Sequence, residues 1–403
     1  MMSLLVVAWV ALAWVGDEYL PENWPVEISR ETLMNLFGIL ASTMLTVATF
    51  SVSAISSAYA SVANSASPRA TRIVMADGSV RSMLGAFLAT FIYAVVSITA
   101  LSAVSFGKAG RFLLFVAFCV LVGWVLVSFL RWVDRVTRLG RLGDTVERVM
   151  ELSRRTFSSP KIIGGNGGVE TREPAPSARR EVKAAECGYL MYLDMDVLQK
   201  LAETIEGKLW LAVRPGSLIT PGRTIARIDS VKEWPEDGDD MVRSAMTLGD
   251  ERSAETDPRF CLILLAEIAD RALSPAINDP GTAIAVMRSQ IELFDMWVKT
   301  RSEIASSMDG EKDGEEFPNI LVPEIEAEEL VSDAFTPIAR DGAGSVEVGV
   351  RLQKALVAIR CLGNEELAKS ASEFSALAIE LAEQALISER HREAVRLAGS
   401  QSC

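Results

Sequence analysis

Residues 33–64 read LMNLFGILASTMLTVATFSVSAISSAYASVAN and contain no charged side chain. A helix crosses the hydrocarbon core of a bilayer with about 20 such residues, so this run decides the class of the protein. It is not uniformly apolar. At 100° per residue, Asn35, Gly38, Ser42, Thr46, Thr49, Ser53, Ser56, Ala60 and Asn64 all fall within about 40° of Ser42. They form one continuous polar or small-residue face. The opposite face carries Met44, Val47, Ser51, Ile55, Ala58 and Val62, which suit lipid or a neighbouring helix. Ser29 is a natural N-cap with Glu31 in the first turn. An unbroken helix would be roughly 45 Å long against a core of about 30 Å, and would project some ten residues beyond it.

Three further apolar runs flank this one. Residues 1–15 are almost wholly apolar but short for a span, with no basic flank and no small-residue cleavage site to mark a signal peptide. Either flanking residues complete the crossing or the native start lies upstream of Met1. Residues 83–104 and 112–130 carry no interior charge. Four transmembrane helices are therefore expected, with spans near 1–15, 33–60, 83–104 and 112–130. The segment 16–32 is acidic. The loop holding Arg69, Arg72 and Arg81, and the run from Arg131 to Arg155, are basic. Basic loops stay inside, which predicts two cytoplasmic termini in a bacterial inner membrane. Lys108 and Arg111 dissent and are outnumbered.

Charge is segregated along the chain. Through Arg155 there are 13 Lys/Arg and 10 Asp/Glu, and beyond it 27 against 43. So acidic a C-terminal part repels nucleic acid. The five cysteines, at 119, 187, 261, 361 and 403, lack CxxC spacing. Neither a disulfide framework nor a zinc knuckle is expected, and reduced thiols suit a cytosolic domain. The one histidine, His391, lies in a charged helical stretch and reads as solvated surface. No metal, cofactor or His-based catalysis is expected.

Residues 156–185, rich in Gly and Pro, read as a flexible linker. Gly165, Gly167 and Gly168 are followed by no Gly-Lys-Ser/Thr, so they make no phosphate loop. Residues 186–250 read as a small β-rich unit, with strands at 188–193, 208–213 and 224–228 and a helix at 194–203. Two Pro-Gly turns, Pro215-Gly216 and Pro221-Gly222, punctuate it. The pattern resembles half of a barrel-sandwich module such as biotinyl and lipoyl domains, but no lysine sits in the turns to carry a prosthetic group. Residues 251–403 read as a helical bundle, with helices at 259–273, from 281, at 322–340, 346–362 and 365–396. Between the first two stands Ser274-Pro275-Ala276-Ile277-Asn278-Asp279-Pro280. Asp279 is a natural N-cap with Pro280 at the first helical position. The same cap beside Arg271 offers N–H groups to an anion or a partner. Arg271, Ser274, Asn278, Asp279 and Thr282 are its candidate residues. Asp257, Asp270 and Asp279 are carboxylates that would pair in a cleft if the chain were an enzyme.

Several motifs carry a family resemblance. In the membrane part these are Ser67-Pro68-Arg69, Asp77, Leu84-Gly85-Ala86-Phe87, Thr90-Phe91 and Tyr93. Farther on they are Gly188-Tyr189 with Asp194, Arg214-Pro215-Gly216, Gly249 with Arg252 and Asp257, and the run from Arg271 to Pro275 through Asn278-Asp279-Pro280 and Thr282-Ala283. Together they resemble the bacterial membrane protein family called domain of unknown function 2254. The resemblance implies a multipass membrane protein and no defined activity. Gly281 stands where the family more often has an aromatic.

The fold expected is thus four transmembrane helices followed by a cytoplasmic α+β domain, a barrel-sandwich-like unit plus a helical bundle. Functionally, the polar face predicts a homo-oligomeric channel-like protein. A non-conducting scaffold or sensor, binding a ligand or partner through its cytoplasmic part, is the alternative. No membrane-embedded Asp, Glu, Lys or His is present to run a proton-coupled pump.

Overall fold

The computed structural model of the 403-residue chain describes residues 28–65, 68–70, 78–138, 142–173, 180–308 and 316–401. The span expected at 1–15 lies outside the described residues. The chain divides into two compact units, one of residues 1–64 and 71–144, the other of residues 65–70 and 145–403.

In the first unit, α1 (Arg30–Ser65), α2 (Gly78–Ala103) and α3 (Lys108–Arg138) are the three described helices long and apolar enough to cross a membrane. Ser29 caps α1, its Oγ accepting from Thr32 N at 3.0 Å. Arg30 donates to the Ser102 carbonyl at 3.0 Å and so ties the start of α1 to the end of α2. One face of α1 (Leu33, Phe37, Leu40, Ala41, Met44, Ala48) is buried with Tyr93, Leu101, Leu114 and Trp132. Phe37 meets Tyr93 and Phe118 edge-on, with centroids 5.6 and 5.7 Å apart. The face that includes Met44, Ser51 and Ile55 therefore packs on neighbouring helices rather than on lipid. Val120, Leu126 and Leu130 on α3 are exposed, an apolar exterior that suits hydrocarbon.

The second unit begins with α4 (Leu142–Phe157) and α5 (Pro160–Ile163). A five-stranded sheet has the order β1 (Gly168–Thr171), β8 (Phe317–Pro323), β4 (Gly207–Leu211), β6 (Thr224–Ser230) and β2 (Arg180–Lys183). Strand β8 pairs parallel with both β1 and β4, while the other pairings are antiparallel. A second, antiparallel sheet has the order β5 (Leu218–Ile219), β3 (Gly188–Leu193) and β7 (Met246–Gly249). The barrel-sandwich expectation is therefore wrong. The strands read as one local unit are divided between two sheets. The larger is completed by a strand from far along the chain, so the local hairpins do not close on themselves. The linker expectation fails as well, because residues 160–171 and 180–183 form α5, a short 3₁₀ turn, β1 and β2, the two edge strands of the large sheet.

Helix α6 (Met195–Thr204) is capped by Asp194, whose side chain accepts from Val197 N. It lays Leu198, Leu201 and Ala202 on the sheet against Leu209, Ile228 and Ile320. After α7 (Gly238–Ser244) come α8 (Pro258–Leu273) and α9 (Pro280–Met308). Leu262, Leu264, Leu265, Ile268 and Ala269 of α8 are all fully buried, so this helix is covered nearly all round, as a central helix must be. Then follow α10 (Ala327–Asp341), α11 (Val346–Arg360), α12 (Glu365–Ala385) and α13 (Glu389–Gly399). Two helix expectations change here. The segment from 322 begins in strand β8 and turns helical only at Ala327. The helix expected over 365–396 breaks where Leu386 turns extended (φ −80°, ψ 124°), giving α12 and α13. Cys119, Cys187 and Cys261 are free thiols.

Residues 68–70, which follow α1, belong to the second unit. Ala70 is fully buried there, and Arg69 forms an ion pair with Glu267 of α8.

Candidate functional site

The polar face of α1 is open along its length. Asn35, Ser42, Thr46, Thr49, Ser53, Ser56 and Ala60 are exposed and Gly38 is half-buried. Asn64 sits one residue before the end of the helix, and its side chain lies outside the described residues. Ser42, Thr46 and Thr49 donate to the carbonyls of Ile39, Ser42 and Leu45 at 3.0, 2.8 and 2.9 Å. Each hydroxyl is thus satisfied by its own helix, which lowers the cost of a dry setting and leaves its lone pairs outward.

The turn from α8 into α9 is a worked cap. Asn278 takes the left-handed conformation with φ +50°, which asparagine tolerates better than most residues. Asn278 N donates to Ser274 O, and Asp279 N to Ala272 O. Asp279 accepts from Thr282 N at 3.1 Å and from Thr282 Oγ1 at 2.6 Å. These bonds, the Thr282 hydroxyl first, hold its carboxyl below the usual range. Ser274 Oγ donates to Arg271 O at 2.7 Å. Capping accounts for Ser274, Asp279 and Thr282, and Arg271 is exposed beside them.

Asp257 and Asp279 do not pair with Asp270. Asp257 caps the N-terminus of α8 and Asp270 stands near its C-terminus, about 20 Å away along the axis. Asp279 is engaged in its own cap. Asp270 instead meets Arg340 (3.0 Å) and Asp341. Burial, with the neighbouring Asp341, pushes Asp270 up to about 6, and Arg340 holds Asp341 down at about 2. A raised carboxylate destabilises the fold as pH climbs from the ordinary range through about 6. A lowered one stabilises it above the ordinary range and loses that contribution as pH falls toward about 2. Asp270→Asn removes the first effect and also alters the hydrogen bond by which Asp270 helps to lower Asp341. With the side chain 36% exposed, screening limits the gain to about 0.5–1 kcal/mol. Thermal melts of the variant should show that gain at pH 8 and none at pH 4. An equal gain at both would refute the assignment.

The residues that the sequence left scattered meet in a cleft of the second unit. Tyr189, Arg214, Pro215, Gly216, Arg252 and Asp257 line a cavity of about 460 Å³, within the range of small-molecule sites. Its other wall comes from the segment after β8. Asp257, 2% exposed, accepts from Phe260 N at 3.2 Å and from Arg252 Nε at 2.6 Å. The Arg252 guanidinium lies over the Phe260 ring, 5.5 Å from its centroid. Arg214 donates to the Pro323 carbonyl (2.8 Å) and the Ile162 carbonyl (3.2 Å) and stands 3.6 Å from Glu170. Glu170 is also paired with Arg301. Burial pushes the Glu170 carboxyl up, against the pull of Arg301 and Arg214. It also holds the Arg214 guanidinium below its usual range, against the pull of Glu170. Among the described residues no group of three or more His, Cys, Asp or Glu could hold a metal.

Long apolar helices followed by a mixed α/β unit with two sheets define a membrane protein with a large extramembrane part. The chain belongs to the family described as predicted membrane protein DUF2254, whose model matches residues 1–358. An uncharacterized protein of Mycobacterium bovis and one of Mycobacterium tuberculosis (strain H37Rv) are each 30% identical over 169 residues, 40% of this chain and 32% of the relative. The chain thus matches about a third of the length of these curated relatives. No solved structure matches it.

Proposed function

We propose that the protein is a homo-oligomeric, pore-like membrane protein in which copies of α1 turn their polar faces toward a common axis. The basic loops support a cytoplasmic position for the second unit, where it would assemble or gate the pore. The carrying observation is the exposure of Asn35, Ser42, Thr46, Thr49, Ser53, Ser56 and Ala60 on one face. The span within α1 has the lowest mean hydropathy of the three described, 1.7 against 2.1 and 2.8, yet Ser42, Thr46, Thr49 and Ser53 are left exposed among the described residues. A membrane protein ordinarily turns its most polar surface away from lipid. Another protomer or water is the natural cover, and small residues permit either a close helix crossing or a wet path.

Cysteines at 42, 46, 49 and 53, in a background with Cys119→Ser and Cys187→Ser, test this. A wet axial face cross-links between protomers and reacts with a charged, water-soluble thiol reagent faster than a lipid-facing control, Val52→Cys. Planar bilayers holding the purified protein then carry current. Failure to cross-link sinks the oligomer. Cross-linking without reagent access, together with silent bilayers, sinks the pore. The second reading, a non-conducting scaffold or sensor, is favoured by the polar cleft of the second unit and would survive that outcome.

A further inference from the structure

We propose that the cleft beside the Pro215-Gly216 turn binds a small zwitterion, a molecule with one carboxylate or phosphate and one ammonium group. The inference rests on which charges in the cleft are already engaged. Arg214 is held by Glu170 and two carbonyls, and Arg259 by Asp333 and Glu329. Arg252 is different. Its Nε is bonded to Asp257, but among the described residues nothing accepts from its two Nη groups. The side chain is 19% exposed and is clamped between a buried carboxylate and the Phe260 ring. It therefore presents a rigid fork that matches two oxygens of a carboxylate or phosphate. Arg223 on the rim, whose side chain donates to the Leu218 carbonyl, adds a second cation.

The facing wall has the opposite sign. Glu326 lines the cleft, stands just before α10 without capping it, and pairs with no described residue. Glu324 and Glu329 flank it but are already paired, with Arg172 and Arg259 respectively, which leaves Glu326 as the carboxylate open to a ligand. A polyanion would satisfy Arg252 and be repelled by this wall, whereas a simple cation would meet the reverse. A zwitterion satisfies both. The chemistry could come from a free amino acid or short peptide, or from an ethanolamine phospholipid headgroup.

The test uses the full chain in a non-ionic detergent and isothermal titration with glycine, glycylglycine and phosphoethanolamine. Acetate, inorganic phosphate and ethanolamine serve as single-charge controls. At least one zwitterion should bind more tightly than every control. Glycine or glycylglycine would point to the first source, phosphoethanolamine to the second. Arg252→Lys should weaken it about tenfold or more, the loss of a bidentate charge-assisted contact. Glu326→Gln, at an exposed site that leaves the fold intact, should weaken zwitterions several-fold while acetate and phosphate bind as well as before or more tightly. Phosphate or acetate binding as tightly as the zwitterions, unchanged affinity in Glu326→Gln, or silence from every probe at millimolar concentration would each overturn the proposal. The pore reading stands or falls separately, since no step here involves α1.

Discussion

Gly216→Ala is expected to destabilise the second unit by about 3 kcal/mol or more. Two terms add. Gly216 has φ +94°, where an L side chain meets a steric cost of about 1–2 kcal/mol. A Cβ there would also sit 2.0 Å from Asp257 Oδ2 and 2.5 Å from its Cγ. Asp257 cannot step aside cheaply. Its other oxygen caps α8 and the clashing one holds Arg252, bonds worth about 1 and 1.5–3 kcal/mol respectively. The neighbouring turn is an internal control. Gly222 has φ +84° but no atom within 4 Å of a built Cβ, so Gly222→Ala carries only the backbone cost, about 1 kcal/mol. Thermal unfolding and hydrogen-exchange protection of the α8 amides should separate the two variants clearly. Equal losses would show that crowding against Asp257 is not what fixes Gly216.

Arg214→Met should cost a similar amount, about 3 kcal/mol. The side chain is only 13% exposed. Its loss strands the Pro323 and Ile162 carbonyls and leaves Arg301 as the nearest counter-charge of Glu170. Glu170 is only 10% exposed and already pushed up by burial, and in the variant it moves farther. Because a raised carboxyl destabilises the fold as pH rises through its window, Arg214→Met should lose less stability relative to wild type at pH 5 than at pH 8. Adding Glu170→Gln should recover part of the loss at pH 8, a coupling that a double-mutant cycle measures. Full additivity of the two changes would contradict the contact.

What could be read in the sequence follows the range of each interaction. The α1 face was legible because a helix repeats every 3.6 residues, so Asn35 through Ala60 declare their side without any distant partner. Strand β3 was legible because Gly188 and Asp194 bracket an apolar run. Strand β8 was not, because Phe317–Pro323 gains its identity from β1 and β4, and alone its apolar run merges into the helical pattern that follows. The Gly- and Pro-rich stretch around 165–180 hid β1 and β2 for a similar reason, since an edge strand is defined by its neighbour. The cleft was present only in pieces. Arg214-Pro215-Gly216, Arg252 and Asp257 carried the family resemblance, but their spacing gives no sign that the Gly216 backbone abuts the Asp257 carboxylate. The turn at Ser274–Pro280 is the reverse case, a conspicuous motif for which capping accounts.

The late position of β8 bears on how the protein is made. Gly168 pairs with Phe317, about 150 residues later. At ~5–20 residues per second, the ribosome needs ~7–30 s to deliver that strand. Until then the membrane helices and most of the large sheet exist without the strand that joins β1 to β4. Leu209 and the apolar face of α6 wait with an unpaired edge beside them, the kind of surface that recruits other nascent chains. Production of this protein should therefore be limited by synthesis tempo and by the supply of holding chaperones.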